Sequence, residues 1–247
     1  MPYYKYTQTW FSHSEIKYYL GTLLDKSKEN HILEIGCYEG LSSVFFADNF
    51  INNKDSTLTC IDPFLNIDNN DHIYLLQNGE ESNFDYNISM CKNTEKIKVY
   101  KTSSDNFFSM AASTTSTRCT YNFIYVDGCR EPDFIKRDME NSFNVLEKGG
   151  IMWMNGYDDG SYDGYGSCDG YGSCDGGGCD GYGSCDGGGC DGYGSCDGYG
   201  SCDGSGCDGY GGCDGAIIKK VMGDFLNKYK GEYDVIHSGY QLAIRRK

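Results

Sequence analysis

The sequence predicts an α/β protein built on an open, doubly wound, mostly parallel sheet. Three observations predict it. The apolar run His31-Ile32-Leu33-Glu34-Ile35 passes through Gly36 and Gly40 into a helix over Leu41 to Ala47, the strand, glycine turn and helix that give a parallel sheet its ligand crevice. Further strand-like runs, Thr57 to Ile61, Tyr121 to Val126 and Ile151 to Met154, alternate with helical stripes such as Ile135, Met139, Phe143 and Leu146. Last, a helical stripe of Ile218, Met222, Phe225 and Leu226 runs into two short strands around Ser238-Gly239-Tyr240. The 247 residues suffice for one domain with a full core.

In chain order, Ser12-x-x-Glu15 has capping-box spacing, and Ile16, Tyr19, Leu20, Leu23 and Leu24 follow on one helical face. Residues 1–30 therefore read as a helical segment that packs beside the first strand. Trp10 and Phe11 precede it, either as core and staple residues or as a cover over a ligand. Within the first strand Glu34 stands out, because a carboxylate in a core pattern needs a partner. Gly36 lets backbone pass close by, and Gly40 opens the next helix without a side chain in the way. The spacing Gly-x-x-x-Gly, with Tyr38 between, departs from the dinucleotide fingerprint and disfavours a nicotinamide dehydrogenase.

The second strand ends in Asp62-Pro63-Phe64, where proline offers no ladder donor. An acid at that strand tip either grips ribose hydroxyls or caps a turn. Residues 65–95 are polar and read as a variable surface helix and loop, with Phe84 and Ile88 on the helix. A strand over Ile97 to Lys101 leads through Thr102-Ser103-Ser104-Asp105 into a helix over Asn106 to Ala112. After Tyr121 to Val126 comes Asp127-Gly128, and Glu131-Pro132 opens a helix that Lys148-Gly149-Gly150 is expected to stop. The fifth strand, Ile151 to Met154, ends in Asn155-Gly156.

Residues 156–215 differ in kind. They repeat Gly-Tyr-Gly-Ser-Cys-Asp and Gly-Gly-Gly-Cys-Asp units and hold 9 of the 14 cysteines. Tyrosine is their only large apolar residue, so they are expected to be a disordered insertion in a domain of residues 31–155 and 216–247. A thiolate-rich metal sponge is the sharper alternative, although paired Cys-x-x-Cys knuckles are missing. The tract also dominates the charge. Without the 12 Asp of residues 158–215, 24 acidic residues face 21 basic ones, about −3 against −15 for the chain. A nearly neutral remainder carries no basic nucleic-acid face. No apolar run approaches the roughly 18 residues of a membrane span. The start shows no apolar signal region, and the scattered cysteines read as reduced thiols, so a cytoplasmic location is expected.

Glu34-x-Gly36-x-x-x-Gly40 resembles the first motif of class I S-adenosylmethionine-dependent methyltransferases, and Glu34 to Ser43 is similar to their small-molecule and sugar O-methyltransferase branch. The order Tyr121 to Gly128, amphipathic helix, Leu146 to Met154 resembles the same family. The resemblance implies a Rossmann-like seven-stranded sheet with an antiparallel C-terminal hairpin strand. It implies that Glu34, Gly36, Gly40 and Asp62 hold the cofactor, that Ser103 and Ser104 face the adenine unless they merely cap a turn, and that Asp127 sits beside the transferred methyl. Metal-dependent relatives place a divalent ion, magnesium, on acids after the fourth and fifth strands. Here those positions are Asp127 and Asn155, with a neutral amide for one carboxylate and Gly156 for the next ligand; Asp158 and Asp159 lie just beyond, either as substitutes or as solvated loop acids. Arg130 stands where relatives often carry histidine. It cannot act as a base near neutral pH but could hold an anionic or sugar acceptor. Two functions result: O-methylation of a small hydroxylated acceptor, or a degenerate fold acting in interaction or metal binding through its Cys-Asp-Gly tract. The tract expansion and the Asn-, Lys-, Ile- and Tyr-rich composition also resemble proteins of large DNA viruses.

Overall fold

A computed structural model describes residues 3–67, 73–75, 79–113, 120–157 and 213–247. The repeat tract read as an insertion, with Asp158 and Asp159 at its start, falls almost wholly outside these residues.

Seven strands form one sheet. In chain order they are β1 (His31–Ile35), β2 (Thr57–Ile61), β5 (Ile97–Tyr100), β6 (Tyr121–Val126), β7 (Leu146–Met154), β8 (Tyr233–Ser238) and β9 (Leu242–Arg246). A separate antiparallel pair, β3 (Leu65–Ile67) and β4 (Ile73–Leu75), lies between β2 and β5 in sequence. The spatial order of the large sheet is β5-β2-β1-β6-β7-β9-β8. Pairing is parallel from β5 to β7 and antiparallel through β9 and β8. The chain first steps outward from β1 to β2 and β5, then returns to the other side of β1 with β6. The switch point therefore lies between β1 and β6.

The apolar runs are continuous because both sheet faces are buried. Successive side chains point to opposite faces. Thus Ile32, Phe123 and Trp153 join one core, while Leu33, Ile124 and Met152 join the other. On the first face pack α1 (Ile16–Leu23) through Ile16 and Leu20, α2 (Leu41–Phe50) through Phe46 and Phe50, and α3 (Glu80–Ser89) through Phe84. On the second pack α4 (Ser104–Ser113) through Phe107, α5 (Pro132–Val145) through Ile135, Met139 and Phe143, and α6 (Cys213–Lys228) through Ile218, Met222 and Phe225. Among the described residues no helix is long and apolar enough to cross a membrane.

Three local expectations are corrected, and one open reading divides. The capping box at Ser12 does not form, because the Glu15 carboxylate accepts from the Gln241 backbone N–H at 2.9 Å and pairs with His237 Nε2 at 2.9 Å. Two tertiary partners outcompete a local cap. Leu146 opens β7 rather than closing the preceding helix, and Lys148-Gly149-Gly150 lies inside that strand, where the pairing with β6 slips. The β3–β4 pair occupies part of the stretch read as helix and loop. Trp10 and Phe11 part company: Phe11 packs on Phe45, Phe46 and Tyr125, whereas Trp10 is 69% exposed and lies 5.4 Å from the Tyr38 ring.

Candidate active site

The sheet ladder aligns the predicted site residues. Tyr100, Ile61, Ile35, Val126, Met154 and Leu242 pair across six strands as one row. Each next residue at the carboxyl edge then donates its backbone N–H to a neighbouring strand's last carbonyl. Asp62 bonds to Tyr100 at 3.2 Å, Gly36 to Ile61 at 2.9 Å, Asp127 to Ile35 at 2.8 Å and Asn155 to Val126 at 3.0 Å. Gly36, Asp62, Asp127 and Asn155 therefore stand side by side at the carboxyl edge, with Gly36 and Asp127 at the switch point. Ligands of open α/β sheets bind at that edge and that point.

Gly36 is required there. Its φ is +84°, and an added Cβ would lie 2.1 Å from the Asp127 carbonyl oxygen. Three carboxylates then fix the loop from Gly36 to Gly40 and the start of the helix that follows it. Asp62 Oδ2 accepts from the N–H groups of Cys37 at 2.8 Å and Tyr38 at 2.9 Å, and its Oδ1 from Phe64 N–H at 2.7 Å. Glu34 is fully buried and accepts from Ser42 Oγ and Ser43 Oγ, at the start of α2. Glu39, also buried, accepts from Thr7 N–H at 2.6 Å, Thr7 Oγ1 at 3.0 Å and Asn83 Nδ2 at 2.7 Å, so it ties the loop to the N-terminal segment and α3. Asn87 reinforces this clasp by donating to the carbonyls of Lys5 at 2.7 Å and Glu39 at 2.8 Å. The sequence reading passed over Glu39 and Asn87. Only a long-range partner distinguishes them from solvated loop residues.

The donors to these three acids are neutral, and burial is the leading influence on the protonation of Glu34, Asp62 and Asp127. Burial pushes Glu34 up to about 7, against the pull of its two serine bonds. Asp62 is raised for the same reason, opposed by its three backbone donors. Asp127 is raised as well, opposed by donors from Asn155 and Tyr125 and by the charge of Arg130. The Cys37 and Cys60 thiols lie with the Glu34 carboxylate in one buried group whose ligand atoms are within 4.8 Å of one another. Burial raises both thiols, and Glu34 is already engaged by serines, so the group reads as hydrogen-bonded core.

A second set of hydrogen bonds converges on Asp127. Its Oδ2 accepts from Tyr125 OH at 3.0 Å and its Oδ1 from Asn155 Nδ2 at 2.8 Å. Asn155 Oδ1 in turn accepts from Gln241 Nε2 at 2.8 Å. Arg130 is exposed near Gly156 and donates to Tyr240 OH at 3.2 Å. Ser103 and Ser104 each have a partner outside this cluster. Ser103 Oγ accepts from Asn106 N–H at 3.3 Å, the bond of a helix cap. Ser104 is buried and bonds Asp138 on α5, a carboxyl that burial pushes up to about 6. Gly40, at φ +80°, faces Phe84 rather than the crevice.

The fold is that of a Rossmann-like methyltransferase of class I architecture. A family model described as a methyltransferase domain matches residues 33–157, and the chain belongs to that family. No curated protein sequence matches the chain. Solved structures share its fold at low identity. The O-methyltransferase TomG from Streptomyces achromogenes, in complex with S-adenosylmethionine, has a TM-score of 0.54 and 13% identity over 92% of this chain and 77% of that one. The O-methyltransferase from Bacillus cereus, in complex with S-adenosylhomocysteine, has a TM-score of 0.52 and 10% identity over 88% and 74%. A Clostridium thermocellum protein provisionally described as an rRNA methylase has a TM-score of 0.53 and 10% identity over 93% and 94%.

Proposed function

We propose that this protein transfers a methyl group from S-adenosylmethionine to a hydroxyl of a small acceptor. The observation that carries the proposal is the row at the switch point, where Gly36, Asp62 and Asp127 stand beside a loop and helix start held by three carboxylates with neutral donors. Carboxylates at the mouth of a crevice suit a cationic ligand. When bound, the cofactor supplies an electrophilic methyl on a sulfonium centre. The chain's own task is to place an acceptor oxygen in line with that methyl, and such positioning can lower a barrier by about 7–11 kcal/mol. Gly36 lets the β1 and β6 loops close on each other, and Asp62 holds the amides of Cys37 and Tyr38 in their turn. The remaining acceptor capacity of Asp62 Oδ1 is available to a ribose hydroxyl. Asp127 is the general base. Burial makes its carboxylate more basic than a solvated aspartate, and Tyr125 and Asn155 orient it. Arg130 and Tyr240 stand on the same side and suit an acceptor with anionic or sugar oxygens. Small acceptors are also what the O-methyltransferase neighbours suggest.

Calorimetry of the full chain with S-adenosylhomocysteine tests the reading. Saturable binding is expected, weakened at least tenfold in Asp62→Ala, whose loss leaves three backbone donors without their acceptor. Circular dichroism of the variant separates lost affinity from lost fold. Absence of binding to folded wild-type protein at millimolar ligand would defeat the proposal.

A further inference from the structure

We infer that Gln241 locks the Asn155 amide with its nitrogen toward Asp127, and that this pair of residues therefore does not take a divalent cation. The inference deepens the methyl-transfer reading and rests on it for the role of Asp127, though not for the geometry. Gln241 is fully buried at the turn before β9. Its Oε1 accepts from Ile16 N–H at 3.0 Å, Trp153 Nε1–H at 2.8 Å and Ser14 Oγ at 3.0 Å. A backbone amide and an indole N–H can only donate, so the atom facing them must be the oxygen. The Gln241 orientation is thereby decided by chemistry rather than by fit. Its Nε2 then has to face Asn155, and the Asn155 atom it meets at 2.8 Å has to be Oδ1. What remains is Nδ2, which donates to Asp127 Oδ1 at 2.8 Å.

A cation held between Asp127 and Asn155 needs an oxygen from each, since magnesium binds carboxylates, carbonyls and waters. Turning Asn155 to supply one would set its NH2 against the Gln241 NH2. Turning Gln241 as well would set an NH2 against the Ile16 and Trp153 donors, neither of which can accept. Gly156, the next residue, offers no side-chain ligand. The donor set does not fit the ion expected on Asp127 and Asn155. Gln241 is accordingly a positioning residue: through Asn155 it supplies Asp127 with a neutral hydrogen-bond donor where metal-dependent relatives are expected to place an ion.

Manganese binding to the full chain, counted by electron paramagnetic resonance, tests this. The aspartates and thiols of the repeat tract are common to every variant and cancel in the comparison. Asn155→Ala is expected to bind as much Mn2+ as wild type. Gln241→Glu keeps an acceptor for Ile16, Ser14 and Trp153 but turns a second oxygen toward Asn155. It is expected to rotate the Asn155 amide and gain a Mn2+ site that adding Asn155→Ala removes. Asn155→Asp, which needs no rotation, is expected to gain a site too and decides the matter if Gln241→Glu does not fold. A loss of bound Mn2+ in Asn155→Ala relative to wild type would overturn the inference, as would the absence of any gain in folded Asn155→Asp. S-adenosylhomocysteine calorimetry on the same samples reports separately on the methyltransferase reading, and its failure would leave the Mn2+ counts decisive here.

Discussion

Gly36→Ala is expected to cost more than about 4 kcal/mol of unfolding free energy, at the upper end of single substitutions. Two penalties combine. A non-glycine residue in the left-handed region costs roughly 1–2 kcal/mol. The larger one is steric: the new methyl would sit 2.1 Å from the Asp127 carbonyl oxygen and 2.7 Å from the Gly128 Cα, all backbone. Backbone cannot swing away here, since Gly36 N–H and Asp127 N–H both bond into the ladder. Gly149→Ala is the control. Its φ of +79° carries the same conformational cost, but nothing lies within 4 Å of its added Cβ. Urea denaturation of both variants is expected to show a far larger loss at position 36. Equal losses would mean that the close approach of the β1 and β6 loops is unimportant.

The second large effect is a pH dependence. Glu34 has a folded value of about 7 against an ordinary 4.5, so the folded protein holds that proton more tightly than the unfolded chain. The resulting stability is fully present below about pH 4.5 and is lost as pH rises through 7, about 3 kcal/mol in all. Asp138 acts with the same sign between 3.8 and about 6. Wild type is therefore expected to resist urea better at pH 5 than at pH 8. Glu34→Gln keeps groups that can bond both serines without burying a charge. It is expected to flatten most of the slope and to exceed wild type in stability at pH 8. An unchanged slope would show that Glu34 is not the group responsible.

Much of this architecture is legible in the residues. A strand buried on both faces is apolar at most of its positions, so β1, β6 and the end of β7 declare themselves, and the glycines of the first motif mark the tight turn. The α5 stripe is equally plain, because Ile135, Met139 and Phe143 follow the helical repeat. Residues whose meaning depends on a distant partner stay hidden. Gln241 is an ordinary polar residue in a hairpin until Trp153, Ile16 and Asn155 surround it. Glu39 looks like a solvated loop acid until Thr7 and Asn83 reach it. Glu15 has the spacing of a local cap, and only the hairpin that brings His237 and Gln241 explains why it turns elsewhere. Ser103 suited both an adenine contact and a cap, and sequence spacing alone does not separate them.

The Gln241 contact has a consequence for biosynthesis. Asn155 leaves the ribosome 86 residues before the glutamine that orients it. A nascent chain can assemble β1 through β7 and bury much of its core while that amide still turns freely. The hydrogen bonds around Asp127 are completed only when the hairpin docks.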